Sequence, residues 1–440
     1  MHNATTMFEP VTVAEAREQI LAASDPLEPE RVPIDDALDR VLARDLPADG
    51  DVPPFTSAAM DGYAVLAGPA GRTLRVIGES RAGVPTELAI GDHEAIRTST
   101  GATLPAGANA VIRQEQVEAD GDRVTLCAGV GVADDIRHRG EDLAAGTVVL
   151  TRGTRLGAAE LAGAVAAGAS EMWCAPRPRV AILCTGTELR APGESLGPGE
   201  IHNANAVTMR ALAMRCGSVA SPAERLADDR AVIETALASA LEHADVVVVT
   251  GGVSVGPHDH VKPALDALGV RQSFWGVAIQ PGKPTWFGTF AAKRTLKGAE
   301  RPGTFAAGEL GAVGARVGAE RPGTSERALV FGLPGNPVAA FVAFILFVAP
   351  ALLALQGGST ANGHRQMAEL GTPFKRSPTR EQAITVRVEH EDGRTIAVPN
   401  GPQGSNLISS LLGAEALAMI PAGTGELPAG TPLTLIRLPR

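Results

Sequence analysis

The stretch "DVVVVTGGVSVGPHDH", residues 245–260, joins an unbroken run of valines to a loop with three glycines, one serine and an acid between two histidines. A strand without polar alternation is typical of a parallel sheet that is covered on both faces. The following "VKPALDAL" (261–268) predicts a helix. Glycine lets the backbone approach a ligand closely, and exposed N–H groups at the start of a helix favour an anion. The stretch therefore predicts a parallel strand that ends in a phosphate-binding loop.

Strand and helix patterns alternate around this stretch, from "PRVAILC" (178–184) to "ALVFGL" (328–333), which predicts a parallel sheet with helices on both faces. Two further glycine loops, "CTGTEL" (184–189) and "GLPGNP" (332–337), also follow predicted strands, and Asn336 is placed to cap a helix. Ligands collect at the carboxyl ends of parallel strands. One such loop is ordinary turn geometry, but three in one domain indicate a phosphate-bearing ligand. Neither the dinucleotide G-x-G-x-x-G pattern nor the Walker A pattern occurs.

The segment "PVAAFVAFILFVAPALLAL" (337–355) is apolar throughout and long enough to cross a bilayer. Pro350 interrupts it, and no cluster of Lys or Arg marks one of its ends. We therefore interpret it as a helix buried within the domain or at a subunit interface.

The remaining patterns predict a multidomain α/β plus β fold with four domains. Helical periodicity occurs in "VAEAREQILAAS" (13–24), "IDDALDRVLARDL" (34–46) and "GAAELAGAVAAGAS" (157–170), and short β-prone runs lie between the second and the third. The predicted domains are a helical domain formed by 10–50 and 140–176, an inserted β-rich domain at 51–139, the central α/β domain at 177–357, and a C-terminal β domain at 358–440.

A low-complexity insertion interrupts the central domain at 291–327. The heptapeptide "GAERPGT" occurs in it twice, at 298–304 and 318–324, with little apolar periodicity around it. We predict a disordered surface loop, with a partner-binding arm as the alternative.

Composition excludes several classes of protein. The formal net charge of −10 argues against nonspecific binding to nucleic acid or to an acidic membrane. The four cysteines form no C-x-x-C pair, so neither a disulfide framework nor a zinc ribbon is indicated. Residues 1–10 lack the basic and apolar regions of a secretory signal. These features predict a cytoplasmic protein with reduced thiols.

The glycine loops carry the side chains that we consider first for chemistry. Asp259 and Glu188 offer hard oxygen ligands for a magnesium ion that bridges phosphate oxygens, although Asp259 could equally be a solvated loop acid. Lys283, in "PGKP", offers a point charge for an oxyanion, or is a surface lysine. Zinc is disfavoured, because His258 and His260 would face away from the intervening acid and no third soft ligand lies nearby in sequence.

A second polar group lies upstream, in the predicted β-rich domain and just after it. Asp61, Thr100 and Asp142 occur in "MDGYAV", "TGATLPAG" and "RGEDL". From the residues alone, these segments are either ordinary turns or polar side chains of a domain that covers a catalytic cleft. That cleft could belong to the partner subunit.

Seven motifs, taken in order, resemble those of the molybdopterin molybdenumtransferases, the MoeA and gephyrin E-domain family. They are "MDGYAV", "TGA-x-x-P-x-G", "RGEDL", "TG-x-EL-x-x-PG", "GGVSVG-x-x-D", "PGKP" and "GLPGNPV". The resemblance covers nearly the whole chain apart from the insertion. It implies an elongated four-domain homodimer that inserts molybdate into the dithiolene of adenylylated molybdopterin, with magnesium-dependent loss of AMP. An upstream molybdopterin adenylyltransferase is then a possible partner.

Carried onto matching positions, the resemblance assigns roles to the candidate residues. Asp259 and Glu188 would serve the metal, Lys283 the oxyanion, and Asp61, Thr100 and Asp142 would come from the opposing subunit. The substrate-binding residues would be Gly251, Gly252, Ser254, Gly256, Thr100, Pro334, Gly335, Asn336, Arg380 and Ser405.

The chain also departs from the family pattern at five positions. The family usually has Asp, Asp, Lys, Ser and Arg where this sequence has Thr187, Asn203, Gln280, Ala339 and Thr385. Several of these changes remove charge or donors expected near molybdate rather than near the pterin. Two hypotheses follow: an active molybdenumtransferase, or a divergent paralogue that carries molybdopterin or the finished cofactor with weak insertion activity. Another phosphohydrolase on the same α/β domain is a more distant third.

Overall fold

The amino-terminal helix packs against a distant part of the chain. The computed structural model describes residues 9–253, 259–291, 327–358 and 365–439. Helix α1 (Val13–Ala22) begins at Thr12, whose hydroxyl accepts a hydrogen bond from the Glu15 N–H, while the Glu15 carboxylate accepts one from the Thr12 N–H. Its buried residues Val13, Ala16 and Ile20 belong to the main core of the α/β domain.

The helix predicted over "IDDALDRVLARDL" is wrong. Strand β1 (Glu30–Pro33) is followed by a single 3-10 turn (Ile34–Asp36), and the chain then runs irregularly to strand β2 (Leu46–Pro47). Asp39 has φ of 63°, a left-handed conformation that ends any helix. The periodic apolar residues serve a small core instead of one helical face.

A β-rich unit lies between Ser57 and Arg137. A six-stranded sheet runs in the order β7-β4-β6-β5-β9-β8, and the short strands β3 and β10 pair beside it. Its strands are β3 (Ser57–Ala58), β4 (Gly62–Val65), β5 (Thr73–Ser80), β6 (Glu94–Thr98), β7 (Ala110–Arg113), β8 (Val117–Asp120), β9 (Arg123–Leu126) and β10 (Ile136–Arg137).

The chain then returns to the first region. Strand β11 (Val148–Leu150) pairs with β2, helix α2 (Ala158–Ala166) lies where it was predicted, and strand β12 (Glu171–Cys174) pairs antiparallel with β1. The first region is therefore mixed rather than helical. The boundaries chosen for the four domains stay a prediction, because α1 shares the core of the α/β domain.

The central domain is built on a seven-stranded sheet in the order β16-β13-β18-β22-β21-β19, with β17 also on β13. Strands β13, β18 and β22 are parallel neighbours, and all five residues of β18 are buried. Its elements are β13 (Arg179–Thr185), β14 (Leu189–Arg190), β15 (Ile201–His202), α3 (Ala204–Arg215), β16 (Val219–Ala220), β17 (Glu224–Leu226), α4 (Arg230–His243), β18 (Val246–Thr250), α5 (Val261–Ala267), β19 (Arg271–Trp275), β20 (Ile279–Gln280), β21 (Trp286–Ala291) and β22 (Arg327–Leu333).

Strands β21 and β22 flank the repeat-bearing insertion. They pair antiparallel, and Ala291 lies directly opposite Arg327. Apart from these two end residues, the predicted disordered loop at 291–327 lies outside the described residues.

The long apolar segment forms α6 (Pro337–Ala343), a π-helical turn (Phe344–Val348) and α7 (Ala349–Leu355). Within the described residues it is the one helix long and apolar enough to cross a membrane, and 72% of its most apolar window is buried inside the protein. We call it the core helix. Pro350 has no N–H for the carbonyl of Leu346, four residues earlier, and Arg17 of α1 donates to that carbonyl instead (3.2 Å).

The C-terminal residues form a small closed barrel. Its strand order is β20-β25-β26-β23-β29-β27, and a further pairing of β25 with β27 closes it. The strands are β23 (Arg365–Leu370), β24 (Phe374–Lys375), β25 (Glu381–Glu391), β26 (Arg394–Pro399), β27 (Ala416–Ile420), β28 (Glu426–Leu427) and β29 (Pro432–Arg437). Strand β20 comes from the α/β domain, so the residues that follow it are held at the junction of the two units.

Candidate active site

The three glycine loops meet at one edge of the sheet. Because β13, β18 and β22 are parallel neighbours, their last residues lie side by side, and the Gly251 N–H donates to the carbonyl of Leu333 (3.1 Å). A Cβ on Gly251 would lie 2.7 Å from the carbonyl oxygen of Thr185, and one on Gly335 would lie 3.7 Å from the Gly251 Cα. Gly251 also has φ of 87°. A side chain at Gly251 would therefore be strained and would collide with the neighbouring loop.

Glu188 lies in the first loop with an exposed side chain. A Cβ on Gly186 would lie 2.5 Å from the Glu188 Oε2, so the carboxylate packs over that glycine. Thr187, one of the five departures, donates its backbone N–H (3.0 Å) and its hydroxyl (3.4 Å) to Asp228. A carboxylate therefore does lie beside residue 187, but it comes from another loop.

Asp259 lies half-buried just before α5. Lys262, on the first turn of that helix, places its Nζ 3.5 Å from the centre of the Trp275 ring. The indole Nε1 of Trp275 donates to the carbonyl of Val253 (3.1 Å). Burial lowers the pKa of Lys262, and the carboxylates of Asp259 and Asp266 oppose that effect. Sequence reasoning missed both Trp275 and Lys262.

Two of the predicted substrate-binding residues, Ser254 and Gly256, lie outside the described residues, as does His258. Within the residues that the structure describes, no three His, Cys, Asp or Glu side chains lie together as metal ligands. The metal role of Asp259 and Glu188 stays a prediction.

A cavity of about 380 Å³ lies between the α/β domain and the C-terminal barrel. Five of the predicted site residues line it: Lys283, Pro334, Asn336, Arg380 and Ser405. Two of the positions that depart from the family pattern, Gln280 and Ala339, line it as well. The Asn336 Nδ2 donates to the Ser405 Oγ (3.1 Å), and the Arg380 Nη2 donates to the Gln280 Oε1 (3.1 Å). The pairing of β20 with β25 holds residues 280–283 at this place.

Two departures have structural tasks. Asn203 caps α3 by accepting from the Ala206 N–H (3.0 Å), a task that asparagine and aspartate perform about equally well. Thr385 is 1% exposed, and its hydroxyl donates to Gln403, which lines the cavity. Asn205 was not predicted: its Nδ2 donates to the carbonyl of Gly335 (2.8 Å), and its buried Oδ1 has no partner in the described part of the chain.

The upstream candidates lie at the edge of the β-rich unit. Asp61 precedes β4, and its carboxylate accepts from the backbone N–H (2.7 Å) and the hydroxyl (3.0 Å) of Thr100, which follows β6. These two hydrogen bonds lower the pKa of Asp61, and the one from the Thr100 backbone N–H has the larger effect. Asp142 is exposed in the turn after β10. Their contribution to an opposing subunit stays a prediction.

Three family models match successive parts of the chain: the MoeA N-terminal region (domain I and II) over residues 11–168, a probable molybdopterin binding domain over 181–354, and the MoeA C-terminal region (domain IV) over 367–438. Together with the glycine loops and the barrel, they define a multidomain protein of the molybdopterin-binding class. A molybdopterin molybdenumtransferase of Bacillus subtilis is 30% identical over 94% of this chain and 91% of its own length. A molybdopterin molybdenumtransferase of Haemophilus influenzae is 31% identical over 97% of this chain and 98% of its own length. The chain belongs to the molybdopterin molybdenumtransferase family.

Solved structures agree with this assignment. The MoeA protein of Pyrococcus horikoshii is 28% identical, covers 98% of this chain and 100% of its own, and superposes with a TM-score of 0.75. A molybdenum cofactor biosynthesis protein of Pyrococcus furiosus, 19% identical with a TM-score of 0.56, shares the fold. The resemblance drawn from the seven motifs and the predicted fold class are confirmed, and the protein is a transferase of molybdenum cofactor biosynthesis.

Proposed function

We propose that this transferase inserts molybdate into adenylylated molybdopterin with magnesium-dependent release of AMP, as a cytoplasmic homodimer. The observation that carries the proposal is the cavity, because it joins a glycine loop suited to phosphate with the two cations Lys283 and Arg380. A molybdate ion carries two negative charges, and two cations in a partly desolvated cavity match it.

The phosphate groups of the substrate would lie along the three glycine loops. Gly251 lets the first two loops pack closely, because a Cβ there would lie 2.7 Å from the carbonyl oxygen of Thr185, and Asn336 and Ser405 form a polar pair at the wall of the cavity. The Asn205 Nδ2 donates to the carbonyl of Gly335 and so holds the third glycine loop in place.

The available donors fit a magnesium ion. Asp259 and Glu188 follow adjacent strands, and magnesium binds through one or two carboxylates together with substrate phosphates and waters. When bound, the ion would neutralise charge that develops on the phosphate oxygens. The protein's own part would be to hold the two carboxylates after β13 and β18, while Lys283 and Arg380 line the cavity.

Exposed apolar side chains support the homodimer. Val207 and Met214, seven residues apart on α3, are 59% and 51% exposed, so they share one outward face. Val165 of α2 and Val148 of β11 are 55% and 48% exposed in the first region. We place the subunit contact on the α3 face, since contiguous exposed apolar surface is typical of interfaces. Replacing Val207 with Asp should yield monomer by light scattering, and an unchanged dimer would refute this face as the interface.

The carrier hypothesis has one observation in its favour. Gln280 and Ala339 are neutral side chains in the wall of the cavity, where the family places lysine and serine. The Arg380 Nη2 donates a hydrogen bond to Gln280, so this donor is not free for molybdate. A protein with this cavity could bind molybdopterin well and molybdate weakly.

One experiment separates the two functions. The purified protein is given adenylylated molybdopterin, molybdate and Mg²⁺, and AMP is measured over time. We expect AMP to appear only when all three are present, and chelation of Mg²⁺ should stop it. Bound molybdopterin without AMP release at any molybdate concentration would contradict the transferase proposal and support the carrier.

A further inference from the structure

Trp275, which was not among the predicted site residues, contacts both the glycine loop after β18 and the helix α5 that follows it. Its indole N–H donates to the carbonyl of Val253, the third residue of the loop after β18. Its ring face lies beneath the Lys262 ammonium, 3.5 Å from the ring centre. One side chain therefore contacts the backbone before residue 254 and a cation three residues after Asp259.

Val253 is fixed tightly by its surroundings. It is 2% exposed, and a Cβ on Gly332 of β22 would lie 2.7 Å from the Val253 Cγ1. A Cβ on Gly252 would lie 2.7 Å from the Val261 Cγ2 at the start of α5. The loop thus passes through a narrow space between β22 and α5, and a buried carbonyl there needs a donor. Trp275 supplies it.

We propose that Trp275 and Lys262 are positioning residues for the transferase reaction: the indole N–H holds the backbone of the glycine loop at Val253, and the ring holds Lys262 on the first turn of α5, three residues after Asp259. The inference rests on the proposed function of the loop and of Asp259. Tryptophan is suited to this task because it combines a strong donor with the aromatic face that binds cations best. Phenylalanine keeps a face and loses the donor, so the two contacts can be separated.

The two contacts predict different kinetic effects. Trp275→Phe should raise the KM for adenylylated molybdopterin about threefold to tenfold, the factor of one ordinary hydrogen bond, and change kcat little. Lys262→Met keeps the length of the side chain but removes the charge, and should lower kcat about tenfold. Lys262→Arg keeps a cation over the indole ring, so kcat should stay near the wild-type value.

A matched control removes a similar contact elsewhere. The Arg44 guanidinium lies 3.9 Å from the centre of the Trp173 ring in the first region, so Arg44→Met deletes a cation from an aromatic face outside the site. We expect unchanged KM and kcat per folded protein. If Trp275→Phe and Lys262→Met also leave both constants unchanged, the positioning role is overturned and the contacts only stabilise the fold.

Amide hydrogen exchange tests the inference independently of turnover. Trp275→Phe should speed exchange in peptides that cover 246–262, and Arg44→Met should not. Should the wild-type protein release no AMP, the proposed function fails while this comparison still decides the positioning: equal exchange in the two variants would overturn it.

Discussion

The combined substitution Gln280→Lys with Ala339→Ser should strengthen molybdate binding. Both residues line the cavity beside Lys283 and Arg380, and the Gln280 Oε1 acceptor is taken by Arg380, so Gln280 has only its neutral amide N–H groups to offer an oxyanion. A lysine at this position replaces that acceptor by a cation, and a serine adds a hydroxyl donor. These are the residues that the family usually carries.

The expected gain follows from three contributions. A charge-assisted hydrogen bond from lysine is worth about 1.5–3 kcal/mol and a neutral one from serine about 0.5–1.5 kcal/mol. Against them stands repulsion between the new ammonium and Arg380, about 1 kcal/mol at ~4 Å in a water-like dielectric. Since Gln280 is exposed, the water-like value applies. The net gain is about 2 kcal/mol, or roughly thirtyfold in Kd.

Calorimetric titration with molybdate at constant ionic strength measures this gain. Gln116→Lys adds the same charge at an exposed position of the β-rich unit and should leave the Kd unchanged. In a strain that lacks its own molybdenumtransferase, the unaltered protein should rescue weakly at trace molybdate and better in excess, and the double variant should rescue at trace levels. Full rescue at trace molybdate by the unaltered protein, or an unchanged Kd in the double variant, would refute the reasoning.

Three further predictions concern other parts of the chain. Asp259→Ala should abolish AMP release without unfolding, because the proposed hard ligand of the phosphate-bridging ion is lost; the control is Asp266→Ala, at an exposed position of the helix that follows, and normal turnover in the first variant would contradict the metal role. Replacing 292–326 with an Asn-Gly turn should change the melting temperature little and leave the proposed dimer intact, since the flanking strand ends are paired neighbours; loss of soluble protein in its wild-type oligomeric state would show that the segment is structural. Iodoacetamide at pH 8 should modify the exposed Cys127 and spare Cys174, whose pKa burial raises to about 11. Because the unfolded thiol ionises near pH 8.5, Cys174 contributes stability below that pH and loses it as the pH rises towards 11, which denaturation at pH 8 and pH 10.5 will detect.

The sequence predicted the parallel strands β13, β18 and β22 well, because they are largely buried on both faces. A glycine loop follows each of these apolar runs, as in a parallel sheet, whereas the antiparallel strands β19 and β21 were not predicted. The region around Asp39 failed for the opposite reason: its apolar residues recur at helical spacing, but their partners are strands from distant residues such as Leu42 with Cys174. Tertiary pairing overrides local periodicity where each element is short.

Site residues on glycine loops were predictable, since backbone geometry leaves a pattern in the sequence. Trp275 and Asn205 were not, because their contacts join residues that are 22 and 130 positions apart. An isolated tryptophan in a predicted strand indicates a core residue rather than a site residue. The cavity was partly foreseen through the motifs, but its position depends on two residues of the α/β domain joining the C-terminal barrel as β20.

The attachment of α1 to the core helix bears on how the chain is assembled during synthesis. Arg17 and the carbonyl to which it donates are separated by 329 positions. At roughly 5–20 residues per second, the first helix leaves the ribosome about 15–65 s before its docking surface exists. The β-rich unit has its own core and can fold within that interval, whereas Ala16 and Ile20 must wait with their apolar faces uncovered. The segment made first thus docks only after the core helix has been made, and an amino-terminal truncation or fusion would act on a late step of assembly rather than on its start.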